Sequence, residues 1–383
     1  GEFGRSQARA KALRATGFLA VGQGDLVAGR SWLDESLATF RELGDQEGIA
    51  DSLHGLGRAA YFQGDYAAAR SLFEESLSIS QAAGYEWGSA QALYRLGMVI
   101  LIQGDYARAR PHFEDSVAKF RGLGDKWSLS YSLSALGEEA LRRGDYAVAR
   151  SVLEESLTVF QELGSKSGIA MSLSELGWLA LSQGDYLAAR SRLEESLALR
   201  REMGKRVGMA IALNLLGDVA VHQGNYQQAK TLIEKSLALR KDMGSKSGIA
   251  WSLQNLGHLA QHQGEYRQAA ALFGESLTVF LELGNKIGVA ECLEGLAGVA
   301  AAEQQPEGPF RRQKAERAAQ LFGAAEALRE VASTPLPPYR RADYDRDIAA
   351  ARAQLDEAAF AAARAEGRAM TMEQAIAYAL TQP

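Results

Sequence analysis

Residues 45–84 read DQEGIADSLHGLGRAAYFQGDYAAARSLFEESLSISQAAG, and residues 85–124 repeat the theme as YEWGSAQALYRLGMVILIQGDYARARPHFEDSVAKFRGLG. The period is 40 and barely drifts. Gly24, Gly64, Gly104, Gly144, Gly184, Gly224 and Gly264 fall on it, and so do Tyr66, Tyr106, Tyr146, Tyr186, Tyr226 and Tyr266. A second glycine series runs from Gly17 through Gly57 to Gly257 and breaks at Ala297; a third runs from Gly44 to Gly284. A fixed period of this length marks a repeat array in which each repeat is one supersecondary element.

Each repeat reads as two helices. Ile49, Ala50, Leu53, Leu56, Gly57 and Ala60 recur at three-to-four spacing, which puts a helix at about 47–62. Gly64 suits a left-handed cap, and Asp65 can cap the next helix through its carboxylate. That second helix runs from about Tyr66 to Ala82, with Ala69, Leu72, Phe73, Ser76 and Leu77 on its buried side. Asp45, Asp125, Ser165, Ser245 and Asn285 are the expected caps of first helices, whereas Tyr85 and Lys205 cap poorly. A glycine in mid-helix costs about 1 kcal/mol relative to alanine. Its recurrence therefore points to close approach of the paired helix, with the repeated tyrosine filling the gap to the next repeat.

The pattern resembles the tetratricopeptide repeat. The family signature stands here as Leu56-Gly57, Ala60, Gly64-Asp65-Tyr66, Ala69 and Ser76. The usual period is about 34, so the helices here should be longer by part of a turn. The resemblance implies an all-α, right-handed superhelical solenoid of about eight helix pairs. It covers residues 8–303 closely and returns at Ala318, Leu321, Phe322 and Ala325, which makes 314–331 the last repeat helix. The expected division is a vector-encoded remnant at 1–5, because Glu2-Phe3 is what an EcoRI site encodes, a solenoid at 6–303 and a loop insertion at 304–313. The last repeat helix and C-terminal capping helices at 332–383 follow. The helical segments of that cap fall at about 339–354, 357–367 and 372–380, with Asp356 as one N-cap and Thr371 with Gln374 as a capping box.

The tail wording at 318–329, 335–344 and 366–380 resembles the C-terminal part of bacterial multidomain regulators, in which a STAND nucleotide-hydrolysing core is joined to a tetratricopeptide sensor arm, sometimes beside a LuxR-type DNA-binding domain. That resemblance implies an arm that binds an inducer or partner and relieves autoinhibition. The alternative is a free-standing scaffold joining proteins. The chain has no GxxxxGK[ST] phosphate loop and no recognisable DNA-reading helix, so neither ATP hydrolysis nor DNA binding is assigned to it.

Composition narrows the chemistry. The 383 residues carry 42 Lys+Arg against 47 Asp+Glu, a formal net charge of -5, which argues against a dominant nucleic-acid face. A single cysteine, Cys292, excludes an internal disulfide framework and fits a reducing, cytoplasmic setting. No apolar run approaches the length of a membrane span. No HExxH, GxSxG or Cys–His pairing occurs, and no cofactor is implied. The recurring Glu74-Glu75-Ser76 reads as solvent-facing glutamates beside a tightly packed serine rather than as catalytic carboxylates.

In tetratricopeptide arrays the first helices line the concave face. The family's exposed positions, projected here, select Arg58, Tyr61, Phe62, Tyr94, Met98, Tyr131, Glu138, Met171, Trp178, Asn214, Asp218 and Trp251 as candidates for binding a protein, peptide or small inducer. Leu101, Leu141, Leu181 and Val221 fall on the same projection. Large apolar patches with aromatics and arginine mark binding sites. The competing reading is a narrow superhelix that buries these residues against one another. A basic clamp for peptide carboxylates needs several Lys, Arg or Asn here, and Arg58, Arg142 and Asn214 alone qualify, which disfavours that mode. Asp218 and His222 stand four apart, as do His258 and His262 one repeat later. A metal site, a pH-sensitive patch and a hydrated groove wall are the three readings of that group, the last being the simplest. Near-identical repeat faces also make self-association plausible.

Overall fold

The structure, a computed structural model, describes residues 2–302 and 309–381. Among the described residues every regular element is an α-helix. The chain forms two compact units: residues up to 102 with 107–136, and residues 103–106 with 137 onward.

The first unit holds α1 (Glu2–Gln23) paired with α2 (Leu26–Leu43), α3 (Gln46–Gln63) with α4 (Tyr66–Ala82), and α5 (Glu86–Ile102) with most of α6 (Tyr106–Leu123). It also holds the first part of α7 (Lys126–Arg142). Residues 2–5, set aside in the sequence as a remnant, continue α1. Leu33, Phe40, Leu53 and Leu56 form one core cluster, and Phe73, Leu96 and Val99 another.

The caps follow the sequence closely. The Asp45 carboxylate accepts from the Gly48 amide at 2.9 Å, and Asp65 accepts from that of Ala68 at 3.0 Å. Asp125, Ser165 and Asn285 do the same for Ser128, Gly168 and Gly288. Lys205 makes no side-chain cap, as expected, but neither does Ser245. Gly64 takes φ 82°, the left-handed turn that only glycine adopts without strain.

The mid-helix glycines are contact points. A Cβ on Gly57 would stand 2.6 Å from the Phe73 ring, and one on Gly97 2.6 Å from Phe113. Ser76 completes the same seam: its hydroxyl is buried and donates to the Ala50 carbonyl at 2.8 Å. Ser36, Ser116, Ser196, Ser236 and Ser276 repeat this bond to Ala10, Ala90, Ala170, Ala210 and Ala250. Glu74 and Glu75 lie exposed beside it.

The second unit continues the pairing: the end of α7 from residue 137 with α8 (Tyr146–Glu162), α9 (Lys166–Ser182) with α10 (Tyr186–Glu202), α11 (Arg206–His222) with α12 (Tyr226–Asp242), α13 (Lys246–His262) with α14 (Tyr266–Glu282), and α15 (Lys286–Ala302) with α16 (Pro309–Val331). Among the described residues the chain order thus gives eight helix pairs. Residues 304–308 of the expected loop, and residue 303 before it, lie outside the described residues. Its last five, 309–313, belong to α16, because proline is tolerated in the first turn of a helix. The turn at Gly104 lies against the start of α15, where a Cβ would stand 3.3 Å from the Ile287 nitrogen.

Beyond α16 come α17 (Pro338–Arg352), α18 (Glu357–Arg368) and α19 (Met372–Leu380). Asp356 caps α18 through the Ala359 amide, and Thr371 with Gln374 forms the capping box of α19. α18 crosses α16 at two glycines: a Cβ on Gly323 would strike the Arg364 carbonyl at 2.1 Å, and one on Gly367 the Gln320 carbonyl at 1.9 Å. Phe360 and Ile376 join Phe280, Leu293 and Phe322 in one cluster that closes the last repeat.

Gly57→Ala should lower the urea midpoint, because overpacking of about 1–3 kcal/mol exceeds the gain in helix propensity. Gly22→Ala, with open space around its Cβ, should leave the midpoint unchanged or raise it. Equal behaviour of the two would remove the close-approach explanation.

Candidate binding face

In the second unit the first helices α7, α9, α11 and α13 carry the projected residues, with α15 next in line, and side chains of the same unit lie against them. The Arg142 guanidinium lies 4.5 Å from the Trp178 ring centre and 5.8 Å from that of Trp251. It donates to Glu138 at 2.8 Å and to the Tyr106 hydroxyl at 3.3 Å. Burial opposes its charge, but Tyr106 and Glu138 outweigh burial and hold its pKa above the usual arginine value. Trp251 also packs edge-on against Phe280 at 4.8 Å. Asn214 is buried and accepts from Ser252 at 3.3 Å; Met171 is half-buried.

α17 completes the filling. Tyr339 meets the His222 ring edge-on at 5.0 Å, and Arg340 lies 2.8 Å from His258 Nε2 and 3.5 Å from Glu291. Asp343 pairs with His262 at 3.1 Å, and Gln261 donates to Asp347 at 2.8 Å. Burial works against the Arg340 charge, yet Tyr339, Glu291 and Asp218 raise its pKa well above the ordinary value. Burial pushes the pKa of His258 far down, with Arg340 adding to it, and burial lowers His222 as well. His258 is therefore a neutral acceptor for Arg340. The Asp218–His222 distance is 3.7 Å.

These contacts add a partner that the readings of the histidine patch did not include. The wall is partly covered, since α17 lays Tyr339, Arg340 and Asp343 across it, and a small cavity lined by Asp218, His222, His262 and Asp343 remains. Among the described residues no group of three His, Cys, Asp or Glu is placed to hold a metal ion. The Arg340 guanidinium, 2.8 Å from His258 Nε2, puts a positive charge against that nitrogen. The segment at 338–352 is also more than an end cap, because its side chains reach α11, α13 and α15 along their inner side.

The first unit differs. Phe62 is 53% exposed, and the Tyr61 ring lies 5.6 Å from it and 5.7 Å from Tyr66. Tyr94, Met98 and Tyr131 are half-buried, with Tyr94 at 6.3 Å from Phe113 and Tyr131 at 5.6 Å from the exposed Trp127. Arg58 lies over Phe18 at 5.3 Å, and Arg95 over Tyr94 at 5.1 Å. Cys292 is fully buried, donates to Ser276 at 3.4 Å, and has its thiol pushed up to about 12 by burial, so it packs and does not react.

Residues 9–82, 88–162, 129–202 and 208–282 match the tetratricopeptide repeat profile, well over half of the chain. The chain belongs to the tetratricopeptide repeat family. No curated protein sequence matches it. Among solved structures it is similar to the Rap conjugation gene regulator of plasmid pLS20, solved with the Phr* peptide (TM-score 0.60, 13% identity, 84% of this chain and 97% of that one). It is also similar to the apo quorum sensor NprR of B. thuringiensis (TM-score 0.54, 15% identity, 81% and 87%). A third is a STAND signal-transduction ATPase with a tetratricopeptide repeat sensor from Pyrococcus horikoshii (TM-score 0.53, 15% identity, 90% and 51%), of which the chain spans about half. At these identities the likeness is one of fold.

The family's standard surface positions transfer incompletely to this tetratricopeptide array. Leu101, Leu141, Leu181 and Val221 are buried. The last three lie in core clusters that span consecutive repeats. Longer helices turn that position into the inter-repeat core. Arg95, Arg340 and Glu291 escaped the projection. The first lies off the standard positions, and the other two meet through a contact the repeat period does not encode. No helix among the described residues is long and apolar enough to cross a membrane.

His222 and His258 have folded pKa values below the ordinary 6.5, so the unfolded chain binds more protons as pH falls through that value. Stability is full above about pH 6.5 and declines below it, by at most about 1.4 kcal/mol per pH unit for each histidine. The urea midpoint should fall between about pH 7.5 and pH 5.5, and His258→Asn should flatten the fall. A midpoint that His258→Asn leaves equally pH-dependent would show that other groups carry it.

Proposed function

We propose that this chain is a binding module that takes a peptide or small inducer on the inner side of its first helices, and that it is the sensor arm of a STAND-type regulator. The carrying observation is α17: side chains of α11, α13 and α15 hold a polypeptide segment through an aromatic contact, a buried arginine and an acid–histidine pair. Faces of this kind can recognise a polypeptide. The first unit offers a comparable set, Arg58, Tyr61, Phe62 and Tyr94, with Phe62 exposed to receive a ligand. Proteins of similar fold are a Rap regulator in complex with the Phr* peptide, NprR in complex with its cognate peptide NprX and a STAND protein with a tetratricopeptide sensor, which supports the same reading.

The test is the gene and its product together. The reading frame upstream of residue 4 should encode a phosphate-loop NTPase module. In the full-length protein, Phe62→Ser with Tyr94→Ser should reduce inducer-stimulated ATP hydrolysis by at least about tenfold, the loss expected from two aromatic anchors, with helicity unchanged. An unaltered response would remove this face from the mechanism. A start codon just upstream would leave a scaffold that joins partners without a switch.

A further inference from the structure

The end of the array is closed without the first turns of α17. α18 crosses α16 at Gly323 and Gly367, and Phe360, Ala363, Ala375 and Ile376 are buried over the last repeat. Tyr344 and Ile348 tie the second half of α17 to that cluster, with the Tyr344 ring 5.2 Å from Phe322. Tyr339, Arg340 and Asp343 reach elsewhere, to the His222 ring, to His258 with Glu291, and to His262. A cap has the apolar end of a solenoid to cover. Of these three side chains only Tyr339 packs beside an apolar cluster, and that cluster lies between α9 and α11 rather than at the end.

The contact is built from replaceable parts. The Asp343 and His262 side chains keep exposures of 29% and 20%, so water competes for the pair. A cavity of about 50 Å³ is enclosed where α17 faces Asp218, His222 and His262, so the fit is looser than that of a close-packed interior. Departure of Arg340 strands no carboxylate, because Glu291 still accepts from Gln254 and lies 3.7 Å from Arg329. The short connector 332–337 holds α17 beside the face at an effective concentration on the order of millimolar.

The face also has a chemical preference. Glu291 and Asp218 act on the Arg340 charge, whereas Glu294 is taken up by Arg329. Burial keeps His258 neutral, as an acceptor for a guanidinium. Tyr339 and Asp343 are four residues apart on one side of α17, with Arg340 next to the tyrosine. We propose that the first two turns of α17 are a displaceable strap on this face. The segment they stand in for is a helix of a partner protein that carries an aromatic residue, an arginine next to it and an acid three positions after the arginine. This deepens the proposed function and rests on its reading of the inner side of the first helices as a binding face.

The test has two parts and uses the full chain. In hydrogen exchange read by mass spectrometry, amides of 342–348 should exchange at least about tenfold faster than those of 361–367 in α18, because the strap opens without the end of the array. The probe for the face is the chain's own segment 335–352 as a separate labelled peptide, with Arg341→Lys joined to the exposed Asp345 by a lactam that holds it helical. In fluorescence anisotropy it should bind the variant Tyr339→Ala/Arg340→Ala/Asp343→Ala saturably. It should bind the wild-type chain at least about tenfold more weakly, since only the open fraction is competent. A peptide with Tyr339→Ala and Arg340→Gln should bind the open variant at least about tenfold more weakly than its parent. Should the triple variant fail to fold, Arg340→Gln alone replaces it, and the peptide should still bind it more tightly than the wild type. Equal exchange of the two segments, no binding to a variant that keeps its helicity and melting transition, or equal binding to variant and wild type would overturn the strap. If the peptide fails to bind while Phe62→Ser with Tyr94→Ser still abolishes the nucleotide response, the strap falls and the binding face of the first unit stands.

Discussion

Everything in this array depends on how closely the two helices of a repeat approach. The contact is set where a glycine on the first helix receives a bulky side chain of the second: Phe73 on Gly57, Phe113 on Gly97, Leu193 on Gly177, Ile233 on Gly217. The adjoining serine donates to a backbone carbonyl across the same seam, which a larger residue could not reach without opening it. With that distance fixed, the next repeat stacks in a constant register. The repeated tyrosine then meets the residue 36 positions on. In the second unit Tyr106 meets Arg142, Tyr186 stacks on His222, and Tyr226 lies beside His262.

The same register that builds the core decides which polar groups share a patch, and the two units resolve this differently. In the second unit arginine and glutamate are matched: Arg142 with Glu138, Arg329 with Glu294, Arg340 with Glu291. Burial that would expel an isolated charge is offset there by a partner and by stacked rings. In the first unit Arg58 and Arg95 are stacked on rings but have no counter-ion. A matched network resembles a finished interior, whereas the first unit leaves buried donors without a partner.

α17 connects fold and function. The sequence marks it only as an Ala-rich helix after a proline break, yet its first two turns place Tyr339, Arg340 and Asp343 against three histidines from two repeats. The four-residue spacings of Asp218 with His222 and His258 with His262 left a metal site, a pH-sensitive patch and a hydrated groove wall open, the last being the simplest. The tertiary contact makes those histidines acceptors and partners for the chain's own arginine and aspartate. That these polar groups share one helical face was legible in the pattern, and their partners on α17 were not.

The sequence by itself determined the helix pairs, their caps, the glycine seam and the buried serine, because these arise from contacts within one repeat or between neighbours, and a 40-residue period records them seven times over. It also marked Phe62, Tyr61 and Arg58 as a face worth examining. Only the tertiary structure decided that Trp178 and Trp251 flank Arg142, that α17 covers the histidines, and that Arg95 joins Arg58. The reason is physical: each of these juxtapositions brings together residues from different repeats or from outside the array. Such contacts occur once, so no periodicity encodes them, and the charge balance of a buried patch appears only when all its members are in place.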